Sequence, residues 1–153
     1  MNKKIVLLAV VAIAGYVLYK RAMRFVDKLS YSVEKIKFDL NSSLQSNFQR
    51  LIFSVQTKLI NPENVRVRVS NISLFFAIND KTFAQIVQVD PFIIQPKKSM
   101  PITFPLEINV QSIPTALKDA FKNFVSGQLQ IRVFGKLDTD YGTIKFDEIK
   151  KLI

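Results

Sequence analysis

The chain has no cysteine, no histidine and no tryptophan, and only four glycines in 153 residues. Without Cys there are no disulfides, no thiolate nucleophile and no Cys-based zinc site. Without His the usual general base near neutral pH is missing, and so is the commonest metal ligand. No serine can have a histidine partner, so nucleophilic catalysis of the usual kind lacks its base. The glycines, Gly15, Gly127, Gly135 and Gly142, are too scattered for a phosphate-cradling loop. Acidic residues are also in the minority, 12 against 22 Lys and Arg, giving a net charge of +10. These absences argue against enzyme chemistry and call for no cofactor and no metal. The 48% apolar content is that of a chain folding around a core, and the length suits one domain.

The longest uncharged run lies at the N-terminus. Ile5, Val6, Leu7, Leu8, Ala9, Val10, Val11, Ala12, Ile13, Ala14, Gly15, Tyr16, Val17, Leu18 and Tyr19 stand between Lys4 and Lys20. As a helix this run reaches roughly 22 Å, short of a roughly 30 Å hydrocarbon core. Lys3, Lys4, Lys20, Arg21, Arg24 and Lys28 can snorkel to the headgroups, and Tyr16 and Tyr19 suit an interfacial belt. The run is expected to span a membrane in a thin or locally thinned bilayer. Two readings compete: a cleaved signal peptide with Ala12-Ile13-Ala14 as the site, and a buried core helix. Against the first, the apolar run continues through Tyr19; against the second, basic residues bracket it on both sides. The heavier basic flank follows the run, which favours the C-terminal domain on the cytoplasmic side.

Residues 1 to 28 hold six basic groups and one acid, Asp27, and so carry +5 of the +10. On a continuing helix Lys20, Arg21, Arg24 and Lys28 are expected to spread around its circumference, suiting general attraction to anionic headgroups. The chain then divides into an anchor and juxtamembrane segment, 1–28, and a β-rich domain, 29–153.

In the body the apolar period is mostly two. Ile36, Phe38 and Leu40 alternate with Lys35, Lys37 and Asp39, predicting a strand near 31–40, and Asn41-Ser42-Ser43 reads as a turn. Leu51, Phe53, Val55, Thr57 and Leu59 make one face of a strand ending at Asn61-Pro62. Val65, Val67 and Val69 alternate on one parity, and Ile72, Leu74, Phe76 and Ile78 on the other, which predicts a bulge near Asn71. Asn79-Asp80-Lys81 is a hairpin turn, followed by a strand with Phe83, Gln85, Val87 and Val89 on one face. After the loop Gln95-Pro96-Lys97-Lys98, Ile102, Phe104, Leu106, Ile108 and Val110 alternate strictly, and Pro101 and Pro105 put that strand at a sheet edge. A short helix is expected next, capped by Ser112, with Pro114 in its first turn, an apolar stripe of Ala116, Leu117, Ala120, Phe121 and Phe124, and Gly127 as its stop. Leu129, Ile131 and Val133, then Ile144 and Phe146, complete the strands. The whole predicts an antiparallel sandwich or barrel of six to eight strands.

The order of these elements resembles a known family. A strand ending at Leu59-Ile60-Asn61-Pro62, Val65 to Val69, a hairpin, Gln95-Pro96-Lys97-Lys98 before an edge strand, a short helix before Gly127-Gln128-Leu129, and then Val133-Phe134-Gly135 are similar to the late-embryogenesis-abundant type 2 (WHy) domain. The resemblance covers about residues 31 to 147. It implies a fibronectin-III-like β-sandwich with no catalysis, often tethered by an N-terminal transmembrane helix. Members are associated with desiccation or stress protection, and some relatives with lipid or membrane-contact roles. The chain departs from the pattern at Asn79-Asp80, where the family has Asn-Gly, and in being more basic and richer in Phe.

Other groupings have blander explanations. Asp138 and Asp140, near Asp147 and Glu148, have spacing that Ca²⁺ could use, but Asp138-Thr139-Asp140-Tyr141-Gly142 is also a hairpin loop. Arg66, Arg68, Lys97, Lys98, Arg132 and Lys136 could form a phosphate or nucleic-acid patch, but their polar parity suits a solvated face better. Phe75 and Phe134 fall opposite the core parity and could face a partner. The expected function is a non-enzymatic, single-pass membrane-anchored β-sandwich that binds a lipid bilayer and a protein or lipid partner, nucleic acid being less favoured. The alternatives are a structural minor membrane protein of a virion with an internal membrane, and a secreted or periplasmic domain.

Overall fold

The computed structural model describes residues 3–47, 49–122 and 129–152, with side chains from residue 11 onward and not at 121 and 122. A 24-residue helix, α1 (Lys3–Val26), is followed by β1 (Ser30–Phe38), a short α2 (Leu40–Gln45), β2 (Arg50–Ile60), β3 (Val67–Ile78), β4 (Lys81–Gln88), β5 (Phe92–Ile94), β6 (Ser99–Asn109), α3 (Thr115–Lys122), β7 (Gln130–Thr139) and β8 (Gly142–Lys151). Two antiparallel sheets result. One has the order β1-β2-β6; the other runs β4-β3-β7-β8, with β5 also pairing the start of β3. This is the β-sandwich that the alternation predicts.

The alternating strands turn one apolar face inward. Phe53, Val55 and Leu59 of β2, Phe104, Leu106 and Ile108 of β6, Ile72, Leu74 and Phe76 of β3, and Ile131, Val133 and Leu137 of β7 are all buried in one cluster. Thr57 is the polar member of the β2 face; its hydroxyl donates to Ile102 O at 3.1 Å, so its burial leaves no orphan donor. The parity change in β3 is a register shift between Val69 and Asn71 against β7, at the place the sequence predicts. Asn79 and Asp80 both adopt positive φ, 50° and 61°, as the two central residues of a tight hairpin require. β6 is a sheet edge, consistent with Pro101 and Pro105. Gly135 lets β7 approach β3 closely: a Cβ there would fall 1.9 Å from Ser73 O.

Several expectations are corrected. Asn41-Ser42-Ser43 is not a turn but lies within α2. Asp39 caps that helix, its carboxylate accepting from Ser42 N–H at 3.0 Å and from the Ser42 hydroxyl at 2.6 Å. These bonds hold the Asp39 carboxyl below its ordinary range, the Ser42 hydroxyl contributing most. Ser43 is fully buried because its Oγ accepts the Ile52 N–H at 3.0 Å. In β4 the core-facing residues are Ala84 and Ile86, with Phe83, while Val87 is half-exposed and Val89 lies beyond the strand. The cause is a second register shift, between Phe76 and Ala77, which inverts the parity of β4 after Phe83. The three-residue β5 has too few residues to show a period, so it is absent from the sequence reading.

Ser112 does not cap α3. Val110–Ser112 forms a separate 3₁₀ turn, in which Asn109 Oδ1 accepts the Gln111 N–H at 2.9 Å. Ile113 is extended, as a residue before proline is driven to be, and α3 begins at Thr115. Leu117 and Ala120 pack into the core as expected. The side chain of Phe121, and Phe124 and Gly127, lie outside the described residues.

Tyr31 sits where the two sheets meet along one side. β1 and the chain end are bridged at Ile36–Leu152, and the Tyr31 and Phe146 rings lie 4.7 Å apart. The Tyr31 hydroxyl is buried and makes no hydrogen bond among the described residues; the neighbouring Thr57 proton is already given to Ile102 O. Burial pushes the phenol up to about 12, with smaller opposing and reinforcing effects from Thr57 and Glu148.

Two predictions follow from this core. Phe53→Ala and Phe104→Ala should each cost about 3–5 kcal/mol, because both rings are almost wholly buried; the check is the midpoint of chemical unfolding. The raised Tyr31 pKa stabilises the fold fully below pH 10, and that stability is lost as pH rises from about 10 through about 12. Two pK units correspond to roughly 2–3 kcal/mol. Tyr31→Phe should therefore flatten the alkaline limb of a stability-versus-pH curve; an unchanged limb would refute the assignment.

Candidate functional site

The chain builds one end of the sandwich with particular care. There α1 leads into β1, β2 ends, β3 and β6 begin, and β7 turns into β8. The register fixes this: Ser30 pairs with Ile60, Ile60 with Ser99, Val67 with Ile94, and Val69 with Thr139. The loops 61–66 and 95–98 and the hairpin 139–142 therefore lie together beside the helix exit.

Asn61 ties the two loops. It is fully buried; its Nδ2 donates to Val65 O at 2.7 Å and to Gln95 O at 3.2 Å, while its Oδ1 accepts the Glu63 N–H at 3.1 Å. Its backbone N–H donates to Lys98 O at 2.9 Å, and Lys97 N–H donates to Glu63 O at 3.0 Å. The Asn-Pro dipeptide that marks the strand end in the sequence is thus a buried three-bond hub. Pro62 follows it on the exposed side.

The last turn of α1 docks on this end. Val26 is buried, and its Cγ2 methyl lies 3.0 Å from where a Cβ on Gly142 would fall; Gly142 has φ +142°, which favours glycine in its own right. Phe25 packs on Tyr141 with ring centroids 4.3 Å apart, and Lys28 pairs with Glu63 at 3.0 Å. Between helix and loops lies a cleft of about 410 Å³ whose walls include Leu18, Arg21, Ala22, Phe25, Val65 and Tyr141. α1 thus packs on the sandwich through its last turn, at Phe25 and Val26.

From Val11 to Tyr19, N-terminal to this contact, α1 is bare. Val11, Ile13, Tyr16, Val17, Leu18 and Tyr19 are 56–66% exposed, and Ala12, Ala14 and Gly15 are exposed too. No atom outside the helix backbone and neighbours lies within 4 Å of a Cβ placed on Gly15. The core-helix alternative does not describe this segment. The side chains of Ile5, Val6, Leu7, Leu8, Ala9 and Val10, and of Lys3 and Lys4, lie outside the described residues. Among the described residues no helix is long and apolar enough to cross a membrane.

The basic flank is more ordered than expected. Lys20, Arg21 and Arg24 do not spread around the helix: with Tyr16 and Val17 they line one shallow hollow of about 350 Å³. Lys20 Nζ lies 5.1 Å from the Tyr16 ring centroid, within reach of a cation–π contact. Lys28, past the helix end, points to Glu63 instead.

The broader basic set separates by location. Arg66, Arg68, Lys97 and Lys98 belong to the helix-proximal end. Arg132 and Lys136 lie on the outer face of the larger sheet, each paired. Arg132 makes a two-pronged contact to Asp147 at 2.9 and 2.6 Å, touches Asp80 at 3.3 Å, and lies over the Phe134 ring. These bonds raise the Arg132 pKa and lower that of Asp147. Phe134 stacks on Phe75, centroids 5.5 Å apart, on the side away from the core, as their parity predicts.

The acidic residues do not converge. Asp138 accepts from the Thr143 hydroxyl at 2.8 Å and from Asn71 Nδ2 at 3.2 Å, with Lys136 at 3.4 Å; the Thr143 bond is the main reason its pKa is lowered. Asp140 accepts the Arg68 N–H, and Glu148 pairs with Lys150. Among the described residues no three acidic side chains group to hold a metal ion.

The late embryogenesis abundant (LEA type 2) family model matches residues 56–150, from mid-β2 to the end of β8. That is most of the sandwich and more than half of the chain, so the protein belongs to this family. No curated protein matches the sequence. Among solved structures, the solution structure of a protein from Arabidopsis thaliana superposes with TM-score 0.56 at 15% identity, covering 79% of this chain and 77% of that one. A late embryogenesis abundant protein superposes with TM-score 0.52 at 14% identity, over 97% and 85% of the two chains. A protein from Archaeoglobus fulgidus gives 0.51 at 13%, over 78% and 94%. At these identities the likeness is one of fold.

The Asn61 hub can be tested alone. Asn61→Ala strands a buried N–H and two carbonyls, and should lower stability by about 1–3 kcal/mol. Amide exchange should speed up at Glu63 and Lys97 before it does in β3 and β7. Uniform loss across the sandwich would show that Asn61 does not hold the loops locally.

Proposed function

We propose that the protein is a membrane-anchored β-sandwich, held at an anionic bilayer through α1 and acting by binding rather than catalysis. The observation that carries this reading is the bare helix. A domain with a closed core leaves nine consecutive residues, Val11 to Tyr19, unpacked on a helix that ends three residues before its first strand, and an apolar helix without a protein partner needs an apolar surrounding. Ile5 to Val10 continue the same run in sequence. The cluster of Lys20, Arg21 and Arg24 beside Tyr16 supports a headgroup level at that turn. The binding role is supported by the chemistry on hand: no Cys, no His, and Asp147, Asp138 and Glu148 each engaged by a separate cation or hydroxyl.

Fractionation tests it. The full chain should resist alkaline carbonate extraction, while a chain lacking residues 1–20, which keeps Phe25, Val26 and Leu29 for packing, should be soluble with a cooperative melt. A truncated protein that stays integral to membranes would sink the reading. Replacing Lys20, Arg21, Arg24 and Lys28 with Gln should weaken binding to anionic vesicles or invert the protease accessibility of the sandwich in sealed vesicles.

A further inference from the structure

We infer that the helix-proximal end of the sandwich is itself a second membrane contact: loops 61–66 and 95–98 lay Arg66, Lys97 and Lys98 on the anionic headgroups, with Val65 as an apolar contact next to Arg66. This rests on the anchor reading above and extends it from the helix to the folded domain.

The geometry comes from three facts. First, Val65 and Leu18 line the same cleft. Leu18 belongs to the apolar run, so a bilayer that holds the run brings this loop to its surface. Second, the loop carrying Val65 and Arg66 and the turn carrying Lys97 and Lys98 are one unit, joined by the Asn61 amide and by the Lys97 N–H to Glu63 O bond. Lys97 holds a positive φ of 57° in that turn. Third, Arg66, Lys97 and Lys98 are exposed, and none is ion-paired among the described residues. Arg132 and Lys136 on the outer face of the larger sheet are both paired.

The charge balance at this end favours an anionic partner. The acids here are Glu63, held by Lys28, Asp140, whose carboxylate accepts the Arg68 N–H, and Asp27. Against them stand Lys20, Arg21 and Arg24 on α1 and the three loop cations. Val65 is 42% exposed on this loop next to the unpaired Arg66, and an exposed apolar residue beside an unpaired cation suits the interface between headgroups and acyl chains. Three such cations near an anionic surface are worth roughly a hundredfold in binding at low salt.

The chain has no tryptophan, so Val65→Trp supplies a unique reporter in the full-length protein, and Asn64→Trp on the same exposed loop an independent one. The protein is reconstituted into vesicles of phosphatidylcholine, or phosphatidylcholine with phosphatidylserine, each with brominated acyl chains as quencher. Flotation of the vesicles is measured alongside. The expected result is co-flotation in both, with reporter quenching at least threefold greater in the phosphatidylserine vesicles, and loss of that excess at high salt and in Arg66→Gln/Lys97→Gln/Lys98→Gln. Co-flotation with an unquenched reporter, or quenching that is indifferent to charge, salt and the triple substitution, overturns the loop contact while leaving the anchor. Failure to co-float overturns the anchor reading and this one with it.

Discussion

Each long strand of this chain has one face that water cannot stabilise, and only a second such face can cover it. That constraint organises the molecule. β2 and β6 present Phe53, Val55, Leu59, Phe104 and Leu106 to Ile72, Leu74, Phe76, Val133 and Leu137 of β3 and β7. Sheets packed this way stand about 10 Å apart, which leaves room for one shared layer of side chains. The shifts in register serve the same layer: the one at Val69/Asn71 keeps β3 inward-facing along its length, and the one at Phe76/Ala77 brings Phe83 in. Tyr31 is where the layer is least comfortable, since its ring is needed at the seam and its hydroxyl is stranded there.

Once the sheets are paired, their loops have no freedom over which end they occupy, and one end receives α1. The Asn61 amide converts the two neighbouring loops into a fixed platform, and Phe25, Val26 and Lys28 seat the helix on it. The family match covers most of the sandwich but begins in β2, so α1, β1 and this seating are features of the present chain beyond the matched region. The proposed role follows from that asymmetry: a complete sandwich that packs on the last turn of a helix and leaves Val11 to Tyr19 uncovered.

The charged surface divides by the same architecture. On the outer face of the larger sheet, cations and carboxylates on adjacent strands neutralise one another, as with Arg132 and Asp147. Exposed pairs of this kind contribute little stability, and Lys145, opposite Lys136 across β7 and β8, stands outside them. At the helix end the loop cations lack such partners, and only there do they join the basic residues of α1.

The alternating strands, the bulge near Asn71, the Asn79-Asp80 hairpin, the edge position of β6 and the apolar run before Lys20 were legible in the residues themselves. Period two, turn chemistry and proline placement are local properties that neighbouring residues settle between them. α2 was hidden because Asn-Ser-Ser suits a turn as well as a capped helix, and the choice rested on Ser43 reaching Ile52 on the next strand. The inward face of β4 was misread because its parity depends on a bulge against β3, a partner strand whose register β4 alone does not encode. For the same reason the gathering of Arg66, Lys97 and Lys98 beside α1 could not be read from positions thirty residues apart in the chain. Which loops share an end is decided by strand pairing and by the Asn61 hydrogen bonds, and those exist only after the sheets have closed on their common core.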